Sequence, residues 1–211
     1  MPAAFAMSDE DVRALLAGDG AADLVTSTSQ GLLATMLPFV FDPDAGEHGA
    51  LLGHVARNNP QWREPAAGEA LVIVRGTDAY VSPSWYASKA EHGRVVPTWN
   101  YVTAHVYGRL VVHDDARWVE SLVRRLTDQR EAALPHPWSV DDAPAAVVAG
   151  QLRAIVGLEL QITRIEAKAK LSQNRPPADV DGVVAGLAAR GELEASAAVA
   201  AARRDRAQSG S

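Results

Sequence analysis

Between Leu51 and Trp62 the chain reads LLGHVARNNPQW, a strand-like start whose end collects polar residues that could hold an anion. Asn59 is a favoured N-cap type, and Pro60 is a favoured first helical residue. A helical turn starting there would present free backbone N–H groups and partial positive charge. Arg57, just before it, adds a permanent cation whose planar fork matches phosphate. The pattern describes either a monophosphate pocket or a capped turn beside a surface arginine. His54 would share a strand face with Leu52 and Ala56. It can be a hydrogen-bonded core histidine, a hydrogen-bonding ligand contact or an axial metal ligand. No His-x-His or HExxH pattern accompanies it, so a zinc site has no support.

Two further stretches could do chemistry. KLSQNR, Lys170 to Arg175, sets Lys170, Ser172, Gln173 and Asn174 at a strand end. Such donors and acceptors suit a phosphate or a polar ring edge, and equally an ordinary polar strand terminus. SPSWY, Ser82 to Tyr86, offers hydroxyls without a paired base, and reads as a turn anchoring two aromatics. There is no GxSxG, no Walker A loop and no GxGxxG.

The whole chain limits what these residues can belong to. It has 211 residues, 47% hydrophobic and 22% charged, which is enough for one domain with a full core. The absence of cysteine removes disulfides, thiolate metal sites and cysteine catalysis. A net charge of −6 and a pI near 5.5 argue against a broad nucleic-acid footprint. The densest basic cluster, RRDR at 203–206, reads as a solvated helix end. No apolar run reaches membrane-span length, and the first residues lack the pattern of an export signal, so a cytoplasmic protein is expected.

The elements that must position these residues follow from patterning. SDEDVRALLAGDG reads as a helix capped by Ser8, with Asp11 imitating a capping box. DLVTSTSQGLLATMLPFVF reads as two strands around a Gln30–Gly31 turn. ALLGHVA, EALVIVRG, TDAYVS and PTWNYVTAHVYGRLVVHDD continue the β pattern, and GLELQITRIEAKAKLS is a long last strand. Along the strand after Pro97, Asn100, Val102, Ala104, Val106 and Gly108 form a small, mostly apolar face. Trp99, Tyr101, His105, Tyr107 and Arg109 form an aromatic, polar one suited to a ligand or a second subunit. Asp114 or Asp115 can cap a helix whose Trp118, Leu122, Val123 and Leu126 share a face. A short helix follows Asp141 or Asp142, and PPADVDGVVAGLAARG forms another that ends at Gly191. Residues 192–211 read as a frayed or loosely docked helix. Strands dominate the middle with few crossovers, so the expectation is mainly β with peripheral helices (α+β), an antiparallel barrel carrying helices outside.

GHVARNNPQW, AYVSPSWY, VPTWNYVTAHVYG and KLSQNR, in this order and spacing, resemble the signature blocks of the PaiB family of FMN-binding negative transcriptional regulators. The match runs from roughly Leu24 to Arg190. The amino-terminal edge matches loosely and the alanine-rich tail not at all. The resemblance implies a split β-barrel of the FMN-binding type, similar to pyridoxamine phosphate oxidase, over residues 1–190. Residues 191–211 would be a helical or disordered tail. It implies a homodimer with flavin at the interface. Thr35, Met36, Leu37 and Pro38 would lie along the isoalloxazine ring, near the backbone of His54 and Val55. Arg57, Asn58 and Asn59 would hold the phosphate. Asn100 and Lys170 to Gln173, including Ser172, would complete the pocket from the partner chain. A regulatory or redox role follows, though direct DNA binding is doubtful without a helix-turn-helix or basic stripe. Piperazate synthases, which also resemble PaiB proteins, use haem. On that alternative His54 becomes a metal ligand, whereas SPSWY and VPTWNY favour the ordinary branch. A flavin-dependent oxidoreductase acting on a small molecule is the other alternative.

Overall fold

Alternating side chains and turn residues build seven strands in the computed structural model, which describes residues 5–18, 20–64 and 66–209, the last five by backbone alone. They are β1 (Ala21–Thr28), β2 (Gly31–Pro38), β3 (Val40–Asp42), β4 (Ala50–Ala56), β5 (Ala70–Val81), β6 (Thr98–His113) and β7 (Ile155–Lys170). Their order in the sheet is β2-β1-β5-β6-β7-β4-β3. The β1–β2 hairpin turns at Ser29–Gln30, where Gly31 takes φ 109° and Thr28 accepts a bond from the Gln30 N–H. β2 and β3 stand at opposite ends of the order, yet only Phe39 separates them in the chain. Pro38 pairs with Ala21 as the last rung of one ladder, and Val40 pairs with Leu52 in the other. Proline has no N–H to extend the first ladder, so the strand breaks there and the sheet stays open. The architecture is the expected one, mainly β and antiparallel with peripheral helices. In detail, EALVIVRG and TDAYVS form one strand rather than two, and β3 splits off from the second predicted strand.

The described chain has two compact units. Unit one comprises residues up to Val12, Arg75–Thr103 and everything from Ala167; unit two comprises Arg13–Val74 and Ala104–Glu166. β5, β6 and β7 contribute residues to both.

In unit two, Leu24, Val72, Val106, Leu158 and Leu160 are fully buried sheet residues. Helix α1 (Asp9–Leu16) starts at Ser8, whose hydroxyl accepts the Asp11 N–H. After the five-residue helix α2 (Ser88–His92), helix α3 (Ala116–Glu131) starts at Asp115, which accepts from the Trp118 N–H at 2.9 Å. Leu122 packs on Val40, Ala50 and Leu52, with Trp118 and Leu126 beside it. Val119, not Val123, is the other fully buried residue of α3, so its apolar face is rotated slightly from the predicted one. Helix α4 (Ala145–Arg153) leads into β7.

In unit one, α5 (Pro177–Ala189) packs on α6 (Leu193–Ser209), and Gly191 at φ 79° makes the turn between them. Val180, Val183, Leu187, Ala195 and Val199 join Val81, Tyr86 and Leu171 in one core. Where its side chains are described, the last helix is docked rather than loosely held, with Val199 0% exposed. The side chains there are mostly alanine. Small residues let two helices approach closely but give a weak hydrophobic periodicity, so the buried stripe escapes a pattern search.

Candidate functional site

The predicted turn forms at the end of β4. Pro60–Trp62 is a single 3-10 turn capped by Asn59, whose Oδ1 accepts the Gln61 N–H at 2.8 Å. Three residues align too few peptide dipoles to create the anion-attracting field expected of a helix start. Arg57 is also differently employed. Its Nε donates to the Arg153 carbonyl at 2.7 Å, and its two terminal nitrogens meet Asp114 at 3.0 and 2.5 Å. Nη2 also reaches the Ile155 carbonyl at 3.2 Å. Those bonds use four of the five donors of a guanidinium. The fork expected to take phosphate is therefore closed on Asp114, whose carboxyl the Arg57 hydrogen bonds hold below its ordinary range. Arg57 ties the β4 end to the β6–α3 and α4–β7 junctions.

The same turn is tied to the β1–β2 hairpin. Asn59 Nδ2 donates to Thr35 Oγ1 at 3.0 Å. Gln61, 1% exposed, places Nε2 within 3.1 Å of the Leu24 carbonyl and of Thr26 Oγ1. Its Oε1 is buried and has no partner. Trp62 Nε1 and Arg63 Nη2 both donate to the Arg57 carbonyl, at 3.0 and 2.8 Å, and the Arg63 guanidinium lies 5.0 Å from the Trp62 ring centre. Asn58 is exposed. On β2, Leu37 is buried against Gly53, where a Cβ would fall 2.8 Å from Leu37 Cδ1, and Pro38 is half-buried. Met36 points outward at 70% exposure, on the same side as Leu32 at 76%. Val55 is buried.

His54 shares the face of Ala50 and Leu52, which α3 covers. It pairs with Gly157, and a Cβ at Gly157 would strike the Trp118 ring. Trp118 stacks on His113 with centroids 3.9 Å apart, and His113 Nε2 lies 2.6 Å from Glu159 Oε2. His54 Nδ1 is buried without a partner, and burial lowers its pKa below 6.5.

Unit one holds the other predicted residues together. Asn100 and Ser172, both buried, bond each other through Nδ2–Oγ at 3.0 Å and Oγ–Oδ1 at 3.2 Å. Ser172 takes φ 66°, a left-handed conformation unusual for serine. Lys170 Nζ donates to Thr98 Oγ1 at 2.6 Å and the Trp99 carbonyl at 2.9 Å. Gln173 accepts the Leu171 N–H and donates to the Ala169 carbonyl, both at 2.7 Å. These polar groups fasten the end of β7 to the start of β6.

Sequence reasoning missed three residues. Gln61 stood inside the NNPQW block, but nothing in its spacing marks it as buried. Asp114 was read as a possible helix cap; Asp115 takes that role and leaves Asp114 to Arg57. Arg63 lies one residue beyond the stretch singled out.

A family described as "Putative FMN-binding domain" matches residues 1–164. The chain belongs to that family. The chain is 35% identical over 162 residues to the protease synthase and sporulation protein PAI 2 of Bacillus subtilis, covering 76% of this chain and 75% of the relative. The PaiB resemblance is thereby borne out. A conserved hypothetical protein, Rv2991, of Mycobacterium tuberculosis has the same fold, with TM-score 0.57 at 10% identity over 83% of this chain and 93% of that one. The flavocytochrome Anf3 of Azotobacter vinelandii aligns at TM-score 0.54 and 15% identity, over 78% and 68%. The residues fit the flavin such a domain takes. A flavin needs apolar surface for its ring and hydrogen-bonding cations for its phosphate. Unit two offers the outward Met36 beside Thr35, the buried unpartnered acceptor of Gln61, and Arg63 with most of its donors unused.

Proposed function

We propose that this protein holds FMN at the corner where β2 meets the Asn58–Arg63 turn, and that two copies of the chain complete each pocket. The observation that carries the reading is the Asn59–Thr35 hydrogen bond of 3.0 Å. It fastens the polar turn to the strand whose Met36 faces outward, so an apolar surface and the turn that carries the open Arg63 guanidinium are held side by side. On this reading Thr35–Pro38 border the ring, and His54 and Val55 back it. Asn58, Asn59 and the Arg57-braced turn meet the phosphate end. Asn100 and Ser172, bonded to each other, frame the pocket from the second chain together with Lys170 and Gln173. The flavin supplies the electron chemistry; the chain binds, orients and excludes water. The role is regulatory or redox sensing in the cytoplasm, without direct DNA contact, in keeping with the net charge of −6. Among the described residues no helix is long and apolar enough to cross a membrane.

The test is the absorption spectrum of freshly purified protein, before and after adding FMN. Flavin bands that co-elute with the protein are expected; a colourless protein that ignores FMN sinks the reading. A haem-dependent activity is the second reading. The unpartnered Nδ1 of His54 favours it, since no hydrogen bond among the described residues occupies that nitrogen. It predicts a Soret band with added haem that His54→Ala abolishes.

A further inference from the structure

Two arginines flank the indole of Trp62, and they are not equivalent. Arg57 lies 5.9 Å from the ring centre and Arg63 5.0 Å. Arg57 is bidentate to Asp114 and bonded to two carbonyls, so its charge is already met. Arg63 is exposed, and among the described residues its guanidinium makes one hydrogen bond, from Nη2 to the Arg57 carbonyl. Among the described residues no carboxylate pairs with it. Four of its five N–H donors are therefore unused. It is nevertheless held in place: the indole lies under the guanidinium, and Trp62 Nε1 is fastened to the same carbonyl. A preoriented arginine with open donors is a receptor for a planar or tetrahedral oxyanion, because little rotamer freedom is lost on binding.

We infer that Arg63 is the cation that receives the terminal phosphate of the bound ligand, and that Arg57 is a positioning residue that holds the carbonyl on which Arg63 and Trp62 are mounted. This rests on the flavin reading for the identity of the ligand. The geometry supports it independently of any transferred role. The chain runs Asp114, Arg57, Arg57 carbonyl, Arg63, and the same turn reaches Thr35 through Asn59.

FMN and riboflavin differ only by the phosphate, so comparing them isolates it. In the full-length protein, flavin-fluorescence titration should show FMN binding tighter than riboflavin. Arg63→Ala should weaken FMN about tenfold or more, the scale of a charge-assisted fork, and leave riboflavin within about twofold. Arg63→Lys should fall between, since it keeps charge but loses the fork. Asp114→Asn should lower FMN affinity more than riboflavin affinity, but by less than Arg63→Ala, because it loosens the mount of Arg63 without removing the fork. An FMN-to-riboflavin ratio unchanged by Arg63→Ala overturns the assignment, as does a ratio that collapses only in Arg57→Ala. If the wild type binds neither flavin, the flavin reading fails. The anion site is then read through thermal stabilisation by inorganic pyrophosphate. Stabilisation lost in Arg63→Ala upholds the site, and stabilisation that persists or never occurs overturns it.

Discussion

Gly182 shows how single atoms govern this molecule. A Cβ there would collide with the Trp85 carbonyl oxygen, and one at Gly186 would enter the Trp85 indole. Gly182→Ala should lower unfolding free energy by about 3 kcal/mol, the upper range for overpacking, measured by urea denaturation. Gly150, inside α4, has nothing nearer its missing Cβ than Arg153 Nη2 at 4.0 Å. Gly150→Ala should stabilise by about 0.5–1 kcal/mol through helix propensity alone, and destabilisation there would contradict the packing described. His54 contributes a pH dependence near neutrality. Burial depresses its folded pKa below 6.5, so the unfolded chain binds the proton more readily. Its contribution is full above the unfolded value and is lost as pH falls through the folded one. Stability should therefore decline on acidifying from pH 7 towards 5, and His54→Gln should flatten that slope in urea titrations at each pH. An equally steep slope in the variant would place the titrating group elsewhere.

The last helix carries the clearest lesson among the elements. Val199 is fully buried between α5 and the end of β5 and β7, with Ala195, Ala198 and Ala202 packed around it. Val199→Asp would bury a charge without a partner and should cost about 3 kcal/mol or more, read as a lowered unfolding temperature. A small effect would mean the helix docks as loosely as its composition suggests. The β1–β2 hairpin was legible because Gln30–Gly31 is a local turn signal, and α1 because Ser8 and Asp11 are three residues apart. Local chemistry sets those features. The α5–α6 contact was hidden because alanine scarcely differs between a solvated and a buried face. The break at Phe39 was hidden because β2 and β3 look continuous until their pairing partners are known.

For the molecule as a whole, the open end of the sheet is the feature with consequences for assembly. β2 is a terminal strand, and Leu32 and Met36 expose a large apolar row. Such an edge invites pairing unless it is covered. Sedimentation equilibrium should find a dimer. Leu32→Glu with Met36→Glu should yield a monomer with much weaker FMN binding, and a dimer that survives both changes would place the interface on another face. The four blocks GHVARNNPQW, AYVSPSWY, VPTWNYVTAHVYG and KLSQNR were sufficient in the sequence to point to the FMN-binding family, and period-two patterning was sufficient for its mainly β architecture. Composition set the charge and removed thiol chemistry. What each polar residue does was decided only by tertiary contact. Arg57 looked like a free phosphate fork until Asp114, 57 positions away, closed on it. Gln61 became a buried clamp because β1 and β2 fold over it. A residue type states which bonds it can make; its partner depends on which distant segment arrives, and that is a property of the fold.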